Sequence, residues 1–209
     1  MEHAIRMGHS VLRSVLVAAL LTAALGMDGH AQGEDGLSFG VKAGGNAGSF
    51  RNADFDSGRR TGLTAGGFMD YPLTSALDLR VEALYTMKGV TTGSTTVALD
   101  YVEVPILAKF VFASEAVTPF LYSGPSAGLN VSAKAKSPSG DFDYGDLVHG
   151  VEASWVFGGG LEFVAGERAI QLDVRYTMGL TSVFDFNDPS DSDSDDKNQG
   201  ISVTIGIGL

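Results

Sequence analysis

His149, Glu152 and Ser154 place an imidazole, a carboxylate and a hydroxyl in one short stretch, the groups from which a hydrolytic triad is built. Successive strand side chains alternate, so Glu152 and Ser154 fall on one side, but Gly150 leaves the direction of His149 open. A loop histidine without a chemical role is the simpler reading. Asp191, Asp193 and Asp195 repeat oxygen donors at alternate positions, as calcium loops do. A calcium loop beginning at Asp191 would want glycine and glutamate where the chain has Asp196 and Ser202. These aspartates are therefore weak metal candidates in a solvated acidic loop, and no cofactor is expected. The chain has no cysteine, and beyond residue 31 its only histidine is His149, so a thiol nucleophile and a multi-histidine zinc centre are excluded. An enzyme is not expected.

A larger set of ionic residues has a different spacing. Lys42, Arg80, Glu82, Lys88, Glu103, Lys109, Glu162, Asp173 and Arg175 sit in rows where every second residue is apolar. The pattern is plainest where Leu172, Val174, Tyr176 and Met178 alternate with Gln171, Asp173, Arg175 and Thr177. A strand with one greasy row and one charged row separates two different solvents. The pattern recurs over about eight segments, approximately Leu37 to Ala47, Gly62 to Tyr71, Leu77 to Gly89, Val97 to Val111, Val117 to Val131, Val151 to Phe163, Ala169 to Val183 and Gly200 to Leu209. The fold class expected is all-β, an eight-stranded antiparallel up-and-down transmembrane barrel. Its interior would hold the charge network Lys42, Arg80, Glu82, Glu103, Lys109, Glu162, Asp173 and Arg175, with Lys88 in the same row. Side chains nearly fill so narrow a barrel, and unpaired buried ions are costly, so these charges should pair across the lumen and plug it.

Arg6 and Arg13 precede an apolar run from Val15 to Leu25, and small residues lead to Ala31. The run is about 11 residues where a membrane-spanning helix needs about 20, so residues 1–31 are expected to be a cleaved signal peptide and 32–209 the barrel domain. The net charge of −11 opposes nucleic-acid binding. The expected partners are outer-membrane lipids and lipopolysaccharide, with barrel-assembly machinery during biogenesis, and the protein is expected to be a monomer.

Connections 72–76, 112–116 and 164–168 are short, whereas 48–61, 132–150 and 184–199 are long and polar. Outer-membrane barrels have short periplasmic turns and longer external loops, so both termini should be periplasmic. A soluble barrel would reverse the rows, with a surface dense in Lys and Glu. Instead Ile201, Val203, Ile205 and Ile207 oppose Ser202, Thr204, Gly206 and Gly208, which suits lipid outside and a crowded inside. Phe39, Tyr71, Phe110, Phe163, Trp155 and Tyr176 share the apolar parity of their strands and form an expected aromatic girdle. Strand glycines such as Gly158 should make room for curvature or a large neighbour. Pro105, Pro119 and Pro125 each remove a ladder donor, so local irregularity is expected there.

Tyr101-Val102-Glu103-Val104-Pro105-Ile106-Leu107-Ala108-Lys109, followed by Pro119-Phe120-Leu121-Tyr122-Ser123-Gly124-Pro125-Ser126-Ala127-Gly128, resembles the central signature of the PorT family of outer-membrane β-barrel proteins. The opening Phe39-Gly40-Val41-Lys42-Ala43-Gly44-Gly45-Asn46 is similar to it too. The resemblance implies an eight-stranded barrel in the outer membrane of a diderm bacterium and no shared reaction. The function expected is a plugged barrel with a structural or surface-interaction role through its external loops. The alternatives are a small-solute porin and an outer-membrane lipid-modifying enzyme.

Overall fold

In the computed structural model the residues described are 36–50, 58–92, 95–114, 116–137, 140–143, 150–166, 168–181 and 197–209. His149, Asp191, Asp193, Asp195 and residues 1–31 lie outside them. The strands are β1 (Ser38–Phe50), β2 (Gly58–Thr74), β3 (Leu77–Thr92), β4 (Thr95–Val111), β5 (Thr118–Ser137), β6 (Gly140–Asp143), β7 (Val151–Ala165), β8 (Arg168–Gly179) and β9 (Asn198–Gly208). Antiparallel neighbours run from β1 to β5, then β7, β8 and β9, and β9 returns to β1 with Gly40 opposite Gly208. The result is a closed eight-stranded barrel. The added strand, β6, pairs only with the outer part of β5.

Alternation decides which row fills the barrel. On β7, Glu152, Ser154 and Val156 are buried while Val151, Trp155 and Phe157 are exposed; on β8, Gln171, Asp173 and Arg175 are buried and Leu172, Val174 and Tyr176 are exposed. The outer surface is a belt of bulky apolar side chains, among them Leu63, Ile106, Leu121, Val203 and Ile205. From Val102 to Phe110, eight strand rises of about 3.4 Å at a tilt of about 40° give about 21 Å of height, close to the apolar band of an outer-membrane barrel.

The strands run farther at the long-loop end than their sequence pattern suggests. β3 and β4 continue to Thr92 and Thr95, so only residues 93 and 94 connect them. β5 continues to Ser137, and the stretch expected to be one long loop instead folds back as β6, which sets Lys134 opposite Asp143 and Lys136 opposite Asp141. β8 ends earlier, at Gly179. The irregularity expected at the prolines takes the form of a lapse in the ladder at two of them. Ladder pairing lapses beside Pro105 and Pro125, but register is unchanged across each gap, since Val81 pairs with Ile106 and Leu84 with Glu103. The register shifts fall elsewhere, after Arg59, at Pro72 and at Asp100. A missing donor can thus be absorbed without an inserted residue.

Two inward glycines are dictated by their neighbours. A β-carbon on Gly158 would overlap the Tyr122 ring, and one on Gly40 would overlap the Phe68 ring. Both rings lie inside the barrel, so a missing methyl on one strand admits an aromatic from the next.

Candidate functional site

Among the described residues, the ionic groups of the lumen gather in three clusters. In the central one, Glu82 from β3 accepts from Arg175 of β8 at 2.5 Å and from Lys42 of β1 at 3.2 Å. Lys42 also donates to Asp173 at 3.2 Å. The Tyr122 hydroxyl lies 2.8 Å from both Asp173 oxygens and accepts from Arg175 Nε at 3.2 Å. Two cations and two carboxylates cancel here, so none of the four is an isolated buried charge.

Toward the short-turn end, Arg80 forms a bidentate pair with Asp70 at 2.6 and 2.7 Å. It also donates to Gln171 at 2.9 Å. Its guanidinium lies 4.5 Å from the Phe68 ring centre and 5.6 Å from that of Phe120. This planar cation satisfies its fork in one direction and stacks in another, which lysine could not do. Lys109 holds Asp70 at 2.8 Å, with Asp78 at 3.7 Å and Glu162 at 3.9 Å. Glu162 accepts from Gln171 at 2.7 Å.

Toward the long-loop end, Lys88 bridges Glu103 at 2.6 Å and Glu152 at 3.1 Å. Thr86 donates to the second oxygen of Glu103 at 2.8 Å, and Asn198 to the second oxygen of Glu152 at 2.7 Å. Ser154 also points inward and is buried. Glu152 is therefore engaged by Lys88 and Asn198, and Ser154 faces the lumen, away from the lipid-facing row.

The structure places Lys42, Arg80, Glu82, Lys88, Glu103, Lys109, Asp173 and Arg175 in the interior, with Glu162 half-buried at the short-turn mouth. Asp70, Asp78, Tyr122, Gln171 and Asn198 join the network beyond the residues expected in it, and Glu152, a triad candidate by its residue type, belongs to it as well. Asp70 shares the inward parity of Thr64 and Phe68, and Asp78 that of Arg80 and Glu82, so their spacing carried the signal. Of the aromatic set, Tyr71, Phe110 and Phe163 are exposed near the short-turn end, where Phe39 is half-buried. Trp155 and Tyr176 lie on the same outer surface nearer the long-loop end, with the Trp155 indole donating to Ser123 at 2.8 Å. That bond satisfies two polar groups that would otherwise face an apolar medium.

A closed antiparallel barrel with an apolar outer belt and an ion-filled lumen has the architecture of proteins that cross an outer membrane on strands. Residues 30–185 match the family model described as the outer membrane protein beta-barrel domain, and the chain belongs to that family. It is a bacterial outer-membrane barrel protein. Neisserial surface protein A has a similar structure, with 15% identity and a TM-score of 0.56 over 85% of this chain and 99% of that one. The attachment invasion locus protein Ail of Yersinia pestis gives 15% identity and 0.47 over 82% and 95%. The outer membrane enzyme PagL gives 14% and 0.45 over 80% and 97%. No curated protein sequence matches the chain.

Proposed function

We propose that this protein is a monomeric, non-enzymatic outer-membrane barrel whose interior is plugged and whose long-loop end does its work, by stabilising the surface or by contacting a ligand or partner. The observation that carries the reading is the cross-lumen pairing of Lys42 with both Glu82 and Asp173, which ties strands β1, β3 and β8 through the barrel axis. In this proposal the short turns and both strand termini face the periplasm and the acidic residues Asp191 to Asp196 lie outside. Contacts with lipopolysaccharide belong to the proposal, as do a cleaved leader and membership of the PorT group.

Purified protein refolded into planar bilayers tests the plug. The expected result is a silent membrane, and steady ohmic steps would refute it. The second reading, a small-solute porin, is favoured by the cavity at the long-loop end, whose lining includes Lys88, Asn46 and Thr204. The enzyme reading has less support, because Ser154 and Glu152 face the lumen and lipid headgroups meet the outer row. It would require a lipid mass shift that disappears in Ser154→Ala.

A further inference from the structure

The register fixes how high each outward residue stands. Paired residues lead from Thr118 on β5 through Glu162, Gln171, Gly206 and Lys42, then by Gly66 and Leu84 to Glu103, and back to β5 at Gly128. One circuit of the wall therefore climbs from 118 to 128 toward the long-loop end. Those ten rises of about 3.4 Å against eight strand spacings of about 4.8 Å give a tilt of about 41°. Each residue along a strand then adds about 2.6 Å of height, and each step to the next strand in this direction about 3.2 Å.

Trp155 faces Met178, Met178 faces Gln199 and Gln199 faces Ser49. Gln199 and Ser49 thus stand about 6 and 10 Å above Trp155, and Val151, four residues up its own strand, also stands about 10 Å above it. Leu129, opposite Val151, and Leu180, bonded to Ala153, stand about 7–8 Å above it. At one height the wall therefore has two characters. Val151, Leu129 and Leu180 are apolar and 61, 53 and 46% exposed. Gln199 accepts from Tyr176 and donates to Ser49, both at 3.3 Å. Farther round, Asp100, in the outward row of β4 and about 9 Å above Trp155, accepts from Tyr85 at 2.9 Å.

The short-turn end is level. Phe163 faces Ile170, Ile170 faces Ile207 and Ile207 faces Val41. Three steps up and four residues down place Leu37, below β1, within about 1 Å of the height of Phe163. Tilting a rigid barrel raises or lowers both ends of one side together, so it cannot match one level rim and one uneven rim.

We infer that the leaflet at the long-loop end is stepped around this barrel, with hydrocarbon rising at least about 4 Å higher against β5, β7 and the top of β8 than against β9, β1 and β4. The occupant of the raised face is lipid acyl chain. Leu129, Val151 and Leu180 continue the lipid-facing rows of Ala127, Ala153 and Met178 without a polar break, and a bilayer adapts to a taller apolar wall at modest cost per ångström. On the other side a carboxylate and an amide would be costly in hydrocarbon, so headgroups come lower there. The inference goes beyond the plugged-barrel reading and holds whether or not the lumen conducts.

The native chain has no cysteine, so single-cysteine variants report on depth. Val151→Cys and Ser49→Cys, at one height, are placed in single-barrel nanodiscs of dimyristoyl phosphatidylcholine, both faces of which are open to solvent, and treated with a water-soluble, membrane-impermeant maleimide. Ile205→Cys, at mid-belt, sets the unreactive floor. Ser49→Cys should react at least tenfold faster than Val151→Cys, which should stay near the floor. Equally fast rates would put Val151 outside hydrocarbon, equally slow rates would put Ser49 inside it, and either overturns the step. Should one of these variants fail to migrate as a folded barrel before heating, Leu129→Cys and Thr61→Cys make the same comparison, because Thr61 is exposed on β2 opposite Ala47 and stands about 8 Å above Trp155. Equal rates for that pair overturn the inference as well.

Discussion

Replacing Glu82 with Gln removes one charge from the centre of the barrel and almost no volume. Glu82 is fully buried, meets Arg175 at 2.5 Å and Lys42 at 3.2 Å, and has Arg80 at 3.9 Å. Without its charge the central cluster holds two cations and only Asp173 to offset them. Breaking a buried pair by removing one partner costs about 3–5 kcal/mol, because the remaining ion is left uncompensated. Asp173 still accepts from Lys42 and Tyr122, and the Gln amide can keep one hydrogen bond, so the lower end, about 3 kcal/mol, is expected. Adding Lys42→Met to Glu82→Gln restores a balance of one cation to one carboxylate and should recover about 1–3 kcal/mol, a coupling of the size seen between contacting groups. Urea unfolding in detergent micelles reads these differences, and Trp155, the only tryptophan, supplies the signal from the outer surface. A Glu82→Gln loss under about 1 kcal/mol, or a double variant no better than the single, would refute the claim that ionic balance at the axis stabilises the barrel.

Two further outcomes follow from the barrel wall. Gly158→Ala forces a methyl into the Tyr122 ring and should cost about 1–3 kcal/mol as overpacking, whereas Gly45→Ala, whose nearest atom would be 3.9 Å from the new carbon, should change unfolding by less than about 1 kcal/mol. Ile205→Arg, in the lipid-facing row, should cost about 2–4 kcal/mol in folding into bilayers, and Val164→Arg at the short-turn rim about 0–1 kcal/mol. Equal costs at the two positions would contradict the depth assigned to the belt.

The strands were legible because each barrel strand meets lipid on one side and a crowded lumen on the other, which writes a two-residue period directly into Leu172 to Thr177. β6 and the outer part of β5 were not. Ser132 to Ser137 is a run of small residues and lysines, and outside the membrane a strand needs no greasy row, so that stretch reads as loop. The same limit applies to the charge network. Parity tells which side Lys42 occupies, but its partners Glu82 and Asp173 come from strands two places away on either side in the barrel order, one of them reached only across the β9–β1 seam, and only closure of the wall brings them together. Arg80 illustrates the other gap. Its row was evident, yet its stacking on Phe68 and Phe120 depends on which rings face inward across the axis, and period alone gives those rings no address.

The seam between β9 and β1 has a kinetic consequence. Every other wall contact of the barrel except β5 with β7 joins strands consecutive along the chain, so hairpins can zip up locally, but Gly40 meets Gly208 only after nearly the whole polypeptide has been ordered. Such distant pairing makes maturation slow, because chain entropy is lost long before the last ladder repays it. Until then the nascent sheet carries two bare margins able to recruit any passing strand. Survival of the polypeptide therefore depends on how quickly a bilayer or an escort shields those margins.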